Sequence, residues 1–228
     1  AYARTGQYTM KLYREELRPV VDVVLDASES MFFEPKKSAR SVELFYFVVE
    51  SARRSGASVG IHLVRGDATR PLPPEAIASH RWFSDLAAMG SKDAAAAPDL
   101  SRVQLRGNAI RVFISDLLFS GDPEPPIRLL AARQGSPLLL VPFLKSEANP
   151  EWTGNYEFVD AERKSRHQHR VEPSVLKRYK ESYANHFALW KNAIQRHQSR
   201  MARVACEPDL DTALFAEALP AGVLEAGK

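Results

Sequence analysis

One carboxylate and two hydroxyls stand at alternate positions in Leu25-Asp26-Ala27-Ser28-Glu29-Ser30-Met31. They follow directly on Val20-Val21-Asp22-Val23-Val24-Leu25, a β-branched run that reads as a strand buried on both faces. Alternation in an extended turn points Asp26, Ser28 and Ser30 toward one side. Hard oxygen ligands, few in number, suit a Mg²⁺ ion that keeps several of its waters. A second apolar run, Ala109 to Ser115, ends in Ile114-Ser115-Asp116. If the two strands are neighbours in a parallel sheet, Asp116 faces the same crevice, because such sheets build their sites beyond strand carboxyl ends where strand order reverses. The same residues have a second use. Asp26 and the serines would equally cap the following helix and satisfy loop amides without a metal, and Asp116 would serve as a turn residue at a strand end.

Strands and helices alternate around these positions. Helical spacing of Val42, Phe45, Val48, Val49 and Ala52 predicts a helix over Ser38 to Arg54, and Val59 to Val64 reads as a second strand. Pro73 and Pro74 open a helix expected to reach about Met89. Gly121-Asp122-Pro123 opens another, ending near Gly135, before an apolar strand from Pro137 to Leu144. This order predicts an α/β, doubly wound, mostly parallel Rossmann-like sheet with helices on both faces. Tyr8 to Tyr13 alternates as an edge strand, and Asn155 to Glu162 with Arg166 to Val171 reads as two strands joined by a charged turn. Leu176, Tyr179, Tyr183, Phe187, Trp190 and Ile194 form one apolar stripe on a long C-terminal helix from Pro173 to about Gln198. Met201 to Ala205 is read as a last strand and Leu210 to Leu219 as a closing helix. All strands are expected to share one sheet, so residues 1–228 read as a single domain, with 1–18 as an N-terminal edge segment.

Asp-x-Ser-x-Ser after the first strand, then Ser-Asp after a later one, resembles the von Willebrand factor A domain and its metal-ion-dependent adhesion site. Ala3-Arg4-Thr5-Gly6, Tyr13-x-Glu15-Glu16, Asp26 to Met31, Ile114-Ser-Asp116, Glu147-x-x-Pro150, Gly154 and Phe158-Val-Asp160-Ala-Glu162 are similar, in that order, to one bacterial branch. That branch is the domain-of-unknown-function family number fifty-eight. The resemblance implies a binding module and not an enzyme, acting as an adaptor or chaperone-like partner of a MoxR-type AAA ATPase in protein assembly or activation. It implies Mg²⁺ or Mn²⁺ at Asp26, Ser28, Ser30 and Asp116, with one position open to an acidic side chain of a protein partner and Glu29, Met31 and Phe32 as the contact rim. The family's metal site also uses a Thr from a Gly-rich loop. Here that region reads Asp93-Ala-Ala-Ala-Ala-Pro-Asp-Leu-Ser101, with no Thr and Ser101 only a candidate stand-in, which implies a metal site that is weakened, rebuilt or lost, with binding weak or absent.

Composition narrows the alternatives. The 228 residues are 45% hydrophobic and 26% charged, with a formal charge of +3 and a pI near 9.0, ordinary globular usage. Between residues 163 and 203 stand 11 basic and 2 acidic residues with four of the six His, so nucleic-acid or acidic-protein binding through this basic segment is the competing class. The segment's aromatic residues lie on the apolar stripe, which leaves no stacking platform. The basic helix is expected to lie away from the loop ends that carry Asp26 and Asp116. A lone Cys206 excludes an intramolecular disulfide and a thiolate zinc cluster, and it fits a reducing, cytoplasmic setting. No apolar run approaches the ~20 residues of a membrane helix. The chain opens with Ala1-Tyr2-Ala3-Arg4 and shows no basic-then-apolar leader. There is no Gly-x-Ser-x-Gly elbow for serine hydrolysis, no third ligand beside His167 and His169, and no small-molecule substrate site in the pattern.

Overall fold

The computed structural model describes residues 18–91, 96–162 and 164–225. The expected edge strand at Tyr8 to Tyr13 lies outside them. Strand β1 (Val20–Asp26) is buried from Val21 onward. It is flanked on one side by parallel β2 (Ser58–Arg65), which carries antiparallel β3 (Ala68–Leu72) on its outer edge. On the other side lie β4 (Ile110–Ile114), β5 (Ser136–Phe143) and β8 (Arg200–Ala205), all parallel. The order is β3-β2-β1-β4-β5-β8. Chain progression leaves β1 in one direction through β2 and returns on its other side at β4. The crevice of the sheet therefore opens at the carboxyl ends of β1 and β4.

Eight α-helical segments occur among the described residues: α1 (Glu29–Phe33), α2 (Pro35–Arg54), α3 (Pro74–Ala78), α4 (Trp82–Ala87), α5 (Glu124–Ala131), α6 (Lys145–Ala148), α7 (Pro173–Arg196) and α8 (Leu210–Ala213). One face of the sheet, with Val23, Leu25, Val112 and Ile114, packs on Leu44, Phe45, Val48 and Val49 of α2 and on Leu214 and Ala218 after α8. The other face, with Val24, Phe113, Leu139 and Val141, packs on Ile127 and Leu130 of α5 and on Tyr183, Phe187, Trp190, Ala193 and Ile194 of α7. Asp22, in the middle of the apolar run, is fully buried and held by the Arg106 amide at 2.7 Å and its Nε at 2.6 Å. Gly60 on β2 makes room for that pair, since a Cβ there would lie 2.8 Å from Asp22 Oδ1. Arg111 closes the same end of the sheet by donating to the Leu129, Leu130 and Arg106 carbonyls.

Several expectations are corrected. The helix expected from Pro73 to Met89 is broken in two, because His80 takes a left-handed backbone with φ +57 that ends the first piece. Strand β3 was not expected; Gly66 at φ +50 turns the chain back on β2, and Pro71 is tolerated because the strand is an edge. Helix α2 starts at Pro35, ahead of Ser38, since proline suits the first turn, whose amides lack helical partners. The closing helix is α-helical only to Ala213 and widens into a π turn over Leu214–Ala218. Most relevant to function, β6 (Gly154–Val159) and β7 (Arg166–Val171) do not join the central sheet. They pair antiparallel with each other as a separate ribbon. Residues 166–170, Arg-His-Gln-His-Arg, are exposed and offer no apolar face to bury inside a sheet.

Trp190 is 2% exposed at the centre of the α7 contact. Trp190→Ala should cost about 3–5 kcal/mol of folding stability, a usual large-to-small core penalty, measured by urea unfolding. An unchanged midpoint would show α7 to be dispensable to the core.

Candidate functional site

Asp26 is the last residue of β1 and is 1% exposed. Its Oδ1 accepts the Ser28 amide at 2.9 Å, closing the turn into α1, and its Oδ2 accepts the Ser115 hydroxyl at 2.6 Å. The Ser28 and Ser30 hydroxyl oxygens are 3.2 Å apart. The structure thus brings Asp26, Ser28, Ser30 and the residues after β4 to one end of the sheet. Asp116 lies there too, 3% exposed, with Oδ1 accepting the Leu118 amide at 3.0 Å. Burial, first, and the neighbouring Asp116 charge push Asp26 up to about 7, against the pull of the Ser115 and Ser28 hydrogen bonds. No basic side chain among the described residues pairs with Asp26.

Asp116 is balanced differently. The ammonium of Lys37, on α2 and 2% exposed, sits 2.7 Å from Asp116 Oδ2 and 2.8 Å from Glu147 Oε1. Burial disfavours the charged ammonium, but the two carboxylates outweigh it and hold Lys37 above the ordinary lysine range. Glu147 is fixed in turn, its Oε2 accepting the Leu144 amide at 3.0 Å and its carbonyl accepting the Tyr179 hydroxyl of α7 at 2.9 Å. Leu117, fully buried with φ +58, holds a backbone that costs a non-glycine residue roughly 1–2 kcal/mol. Its amide donates to the Ser115 hydroxyl at 3.1 Å, and its carbonyl lies 2.7 Å from His186 Nε2 on α7. The basic helix therefore does not lie away from the loop after β4, which His186 touches at the Leu117 carbonyl, while Tyr179 meets α6 at the Glu147 carbonyl.

The expected rim divides. Glu29 is partly exposed and paired with Arg65 at 2.6 Å and with Lys164, which holds its carboxyl below the usual range, first through Lys164. Phe32 is half-buried against the core. Met31 is fully buried, and its sulfur accepts the Asp116 amide at 3.1 Å. It supports the site from beneath and offers no contact area; Phe33, 52% exposed, faces solvent in its place. Ser101 is engaged within its own short turn, where the capping Asp99 accepts its amide and hydroxyl on Oδ1. Sequence reasoning gave no role to Lys37, Ser115, Glu147 or Glu162. Glu162, from the turn between β6 and β7, accepts the Ser30 amide at 2.8 Å. Glu147 and Glu162 stood in the quoted motifs, and that was the available signal; a lysine inside an amphipathic helix carried none.

No group of three or more His, Cys, Asp or Glu side chains among the described residues is arranged to hold a metal, so an ion here needs the hydroxyls. The residues fit that requirement. The 3.2 Å between the serine oxygens is close to the roughly 3 Å edge of an octahedron with 2.0–2.1 Å bonds, and Asp26 adds a buried carboxyl with no basic partner among the described residues. Of the competing basic segment, Arg203 is turned inward over the Phe187 and Phe143 rings at 4.1 and 4.3 Å. Tyr183, Phe187 and Trp190 are buried, so they offer no stacking face. Among the described residues no helix is long and apolar enough to cross a membrane.

Removing Lys37 strands Asp116 beside Asp26 in a buried setting. Lys37→Ala should cost about 3–5 kcal/mol, while Lys37→Met combined with Asp116→Asn should cost less than the two single changes together. Additive effects in that cycle would show that the pair is not coupled.

Comparison with known proteins places the chain. The family described as a protein of unknown function, DUF58, matches residues 1–188. No curated protein matches. Among solved structures, an aerotolerance-related membrane protein from Bacteroides fragilis NCTC 9343 with multiple mutations to serines is 15% identical, over 79% of this chain and 98% of its own, with a TM-score of 0.39. The conserved hypothetical protein BatB from Bacteroides thetaiotaomicron is 13% identical over the same shares, also at 0.39. The SpRpn10 VWA domain is 10% identical, over 92% of this chain and 100% of its own, at 0.45. The strand order and pairing themselves define a doubly wound, mostly parallel Rossmann-like sheet with helices on both faces and a long C-terminal helix. With its profile matched from residue 1 to residue 188, the chain belongs to the DUF58 family.

Proposed function

We propose that this domain is a protein-binding module whose contact site is completed by a divalent cation, and that a MoxR-type AAA ATPase is its partner. The observation that carries the reading is Asp26: a buried carboxylate at the sheet's switch point, beside two hydroxyls 3.2 Å apart, with no basic partner among the described residues. Ser28 and Ser30 would hold Mg²⁺ or Mn²⁺ directly, Asp26 and Asp116 directly or through water. Bound there, the ion would supply positive charge and an open coordination position for an acidic side chain of the partner.

The chain's own groups prepare this contact. The Ser115 hydroxyl and Ser28 amide orient Asp26. Lys37 neutralises Asp116, so the site carries less surplus negative charge than its carboxylates suggest. Glu29, Phe32 and the exposed Phe33 surround the site as contact area. The choice of partner follows from the family resemblance, and the module reading from the fold.

Calorimetric titration with Mg²⁺ or Mn²⁺ should show one site, lost in Asp26→Ala. Capture of a purified MoxR-type ATPase should fail with chelator or with Ser28→Ala. Lys177→Glu with Lys180→Glu should change only its salt sensitivity and on-rate. Capture abolished by the double lysine variant and untouched by chelator would reject the cation site as the functional surface.

A further inference from the structure

After β8 the chain packs back on the sheet through α8 and then widens. The Leu219 amide donates to the Leu214 carbonyl at 3.0 Å, closing the π turn over Leu214–Ala218. Such turns are rare and frequent at functional positions. This one buries Leu214 and leaves Phe215 66% exposed, more than any other large apolar side chain among the described residues.

Phe215 borders a groove of about 380 Å³ between this turn and α2, with Phe47, Leu214, Leu219 and Leu224 as its apolar lining. The remaining lining residues are Asp211 and Glu225, both exposed. Among the described residues no basic side chain lines the groove. Acidic charge continues along α2. Glu43 and Glu50 stand four residues before and three after Phe47, on its side of the helix, and their partners Arg40 and Arg54 lie within the same helix. An apolar floor inside a carboxylate border suits a ligand that is apolar along one side and cationic beside it.

Amphipathic helices meet grooves of this kind, laying residues i, i+3, i+4 and i+7 inside and their polar face against the border. Among the described helices α7 has the right composition, but its apolar stripe is already used. Tyr183, Phe187, Trp190 and Ile194 are buried in the core, so a second copy cannot present that face without unfolding. We infer that the groove docks a basic amphipathic helix of a different protein. Phe215 packs on the apolar side of that helix, and Asp211 and Glu225 pair with its flanking Lys or Arg residues. This is a second contact surface: none of its lining residues belongs to the Asp26 site, and its binding needs no cation.

The test uses the full chain and two labelled synthetic peptides with leucine at the same helical spacing, one carrying Lys and the other Glu at the remaining positions, read by fluorescence anisotropy. The Leu/Lys helix should bind wild type, and the Leu/Glu helix should not. Phe215→Ser should weaken Leu/Lys binding by about tenfold or more, as loss of an aromatic anchor does, and should leave the melting temperature unchanged because the side chain is exposed. Asp211→Lys with Glu225→Lys should exchange the preference for the two peptides, while Glu151→Lys, outside the groove, should not. Chelator and Asp26→Ala should leave Leu/Lys affinity at the wild-type value, whatever they do at the cation site. Wild-type affinity in Phe215→Ser, an unchanged preference in the double variant, or no binding by wild type would overturn the inference. A wild-type dimer in sedimentation that Phe215→Ser dissociates would assign the groove to a second copy and overturn it equally.

Discussion

A carboxylate at the end of the central strand, closed off from water, imposes the condition that the rest of this end of the molecule meets. Asp26 is 1% exposed and shares its surroundings with Asp116. Taking an isolated charge out of water is expensive, and a second negative charge nearby raises the cost. Asp116 and Glu147 share Lys37, and Glu29 takes Arg65 and Lys164. Asp26 receives only a hydroxyl and an amide, and its affinity for a proton rises to about 7 in consequence. A proton relieves this cost as the pH falls through that value, and a divalent cation would relieve it with the carboxylate ionised.

The arrangement ties distant elements together. Lys37 on α2 bridges the loop after β4 to α6 through Asp116 and Glu147. Helix α7 reaches the same loops through Tyr179 and His186, and the latter steadies the strained backbone of Leu117. The aromatic stripe of α7 is thus both a core layer and the backing of the site. The ribbon turn is tied to the same end of the molecule through Lys164 with Glu29 and Glu162 with the Ser30 amide.

The sequence made the frame legible for a simple reason. Val20 to Leu25, Ala109 to Ser115 and Pro137 to Leu144 are buried on both faces, so their apolar runs announce them without help from distant residues. The positions of Asp26, Ser28, Ser30 and Asp116 at strand ends followed from that frame. Strand β3 was hidden because Thr69-Arg70-Pro71 has no apolar pattern, and only a glycine turn and an open edge make it a strand. The ribbon was legible as two strands but not as a separate sheet, since its independence depends on what it fails to bury. Lys37 was out of reach because its role arises from a contact 79 residues away in the chain, and Glu162 was marked only by its place in a quoted motif, its Ser30 contact lying 132 residues away. Met31 was misread as rim because a single-turn helix does not reveal which side faces the core.

The account's central claim is that a divalent cation belongs among Asp26, Ser28 and Ser30. Anomalous scattering from crystals soaked in Mn²⁺ tests it most directly. The account predicts one strong peak within bonding distance of both serine hydroxyls, beside Asp26 and distinct from the Lys37 ammonium. A well-ordered loop with no anomalous peak, or with Mn²⁺ bound only elsewhere, would contradict it.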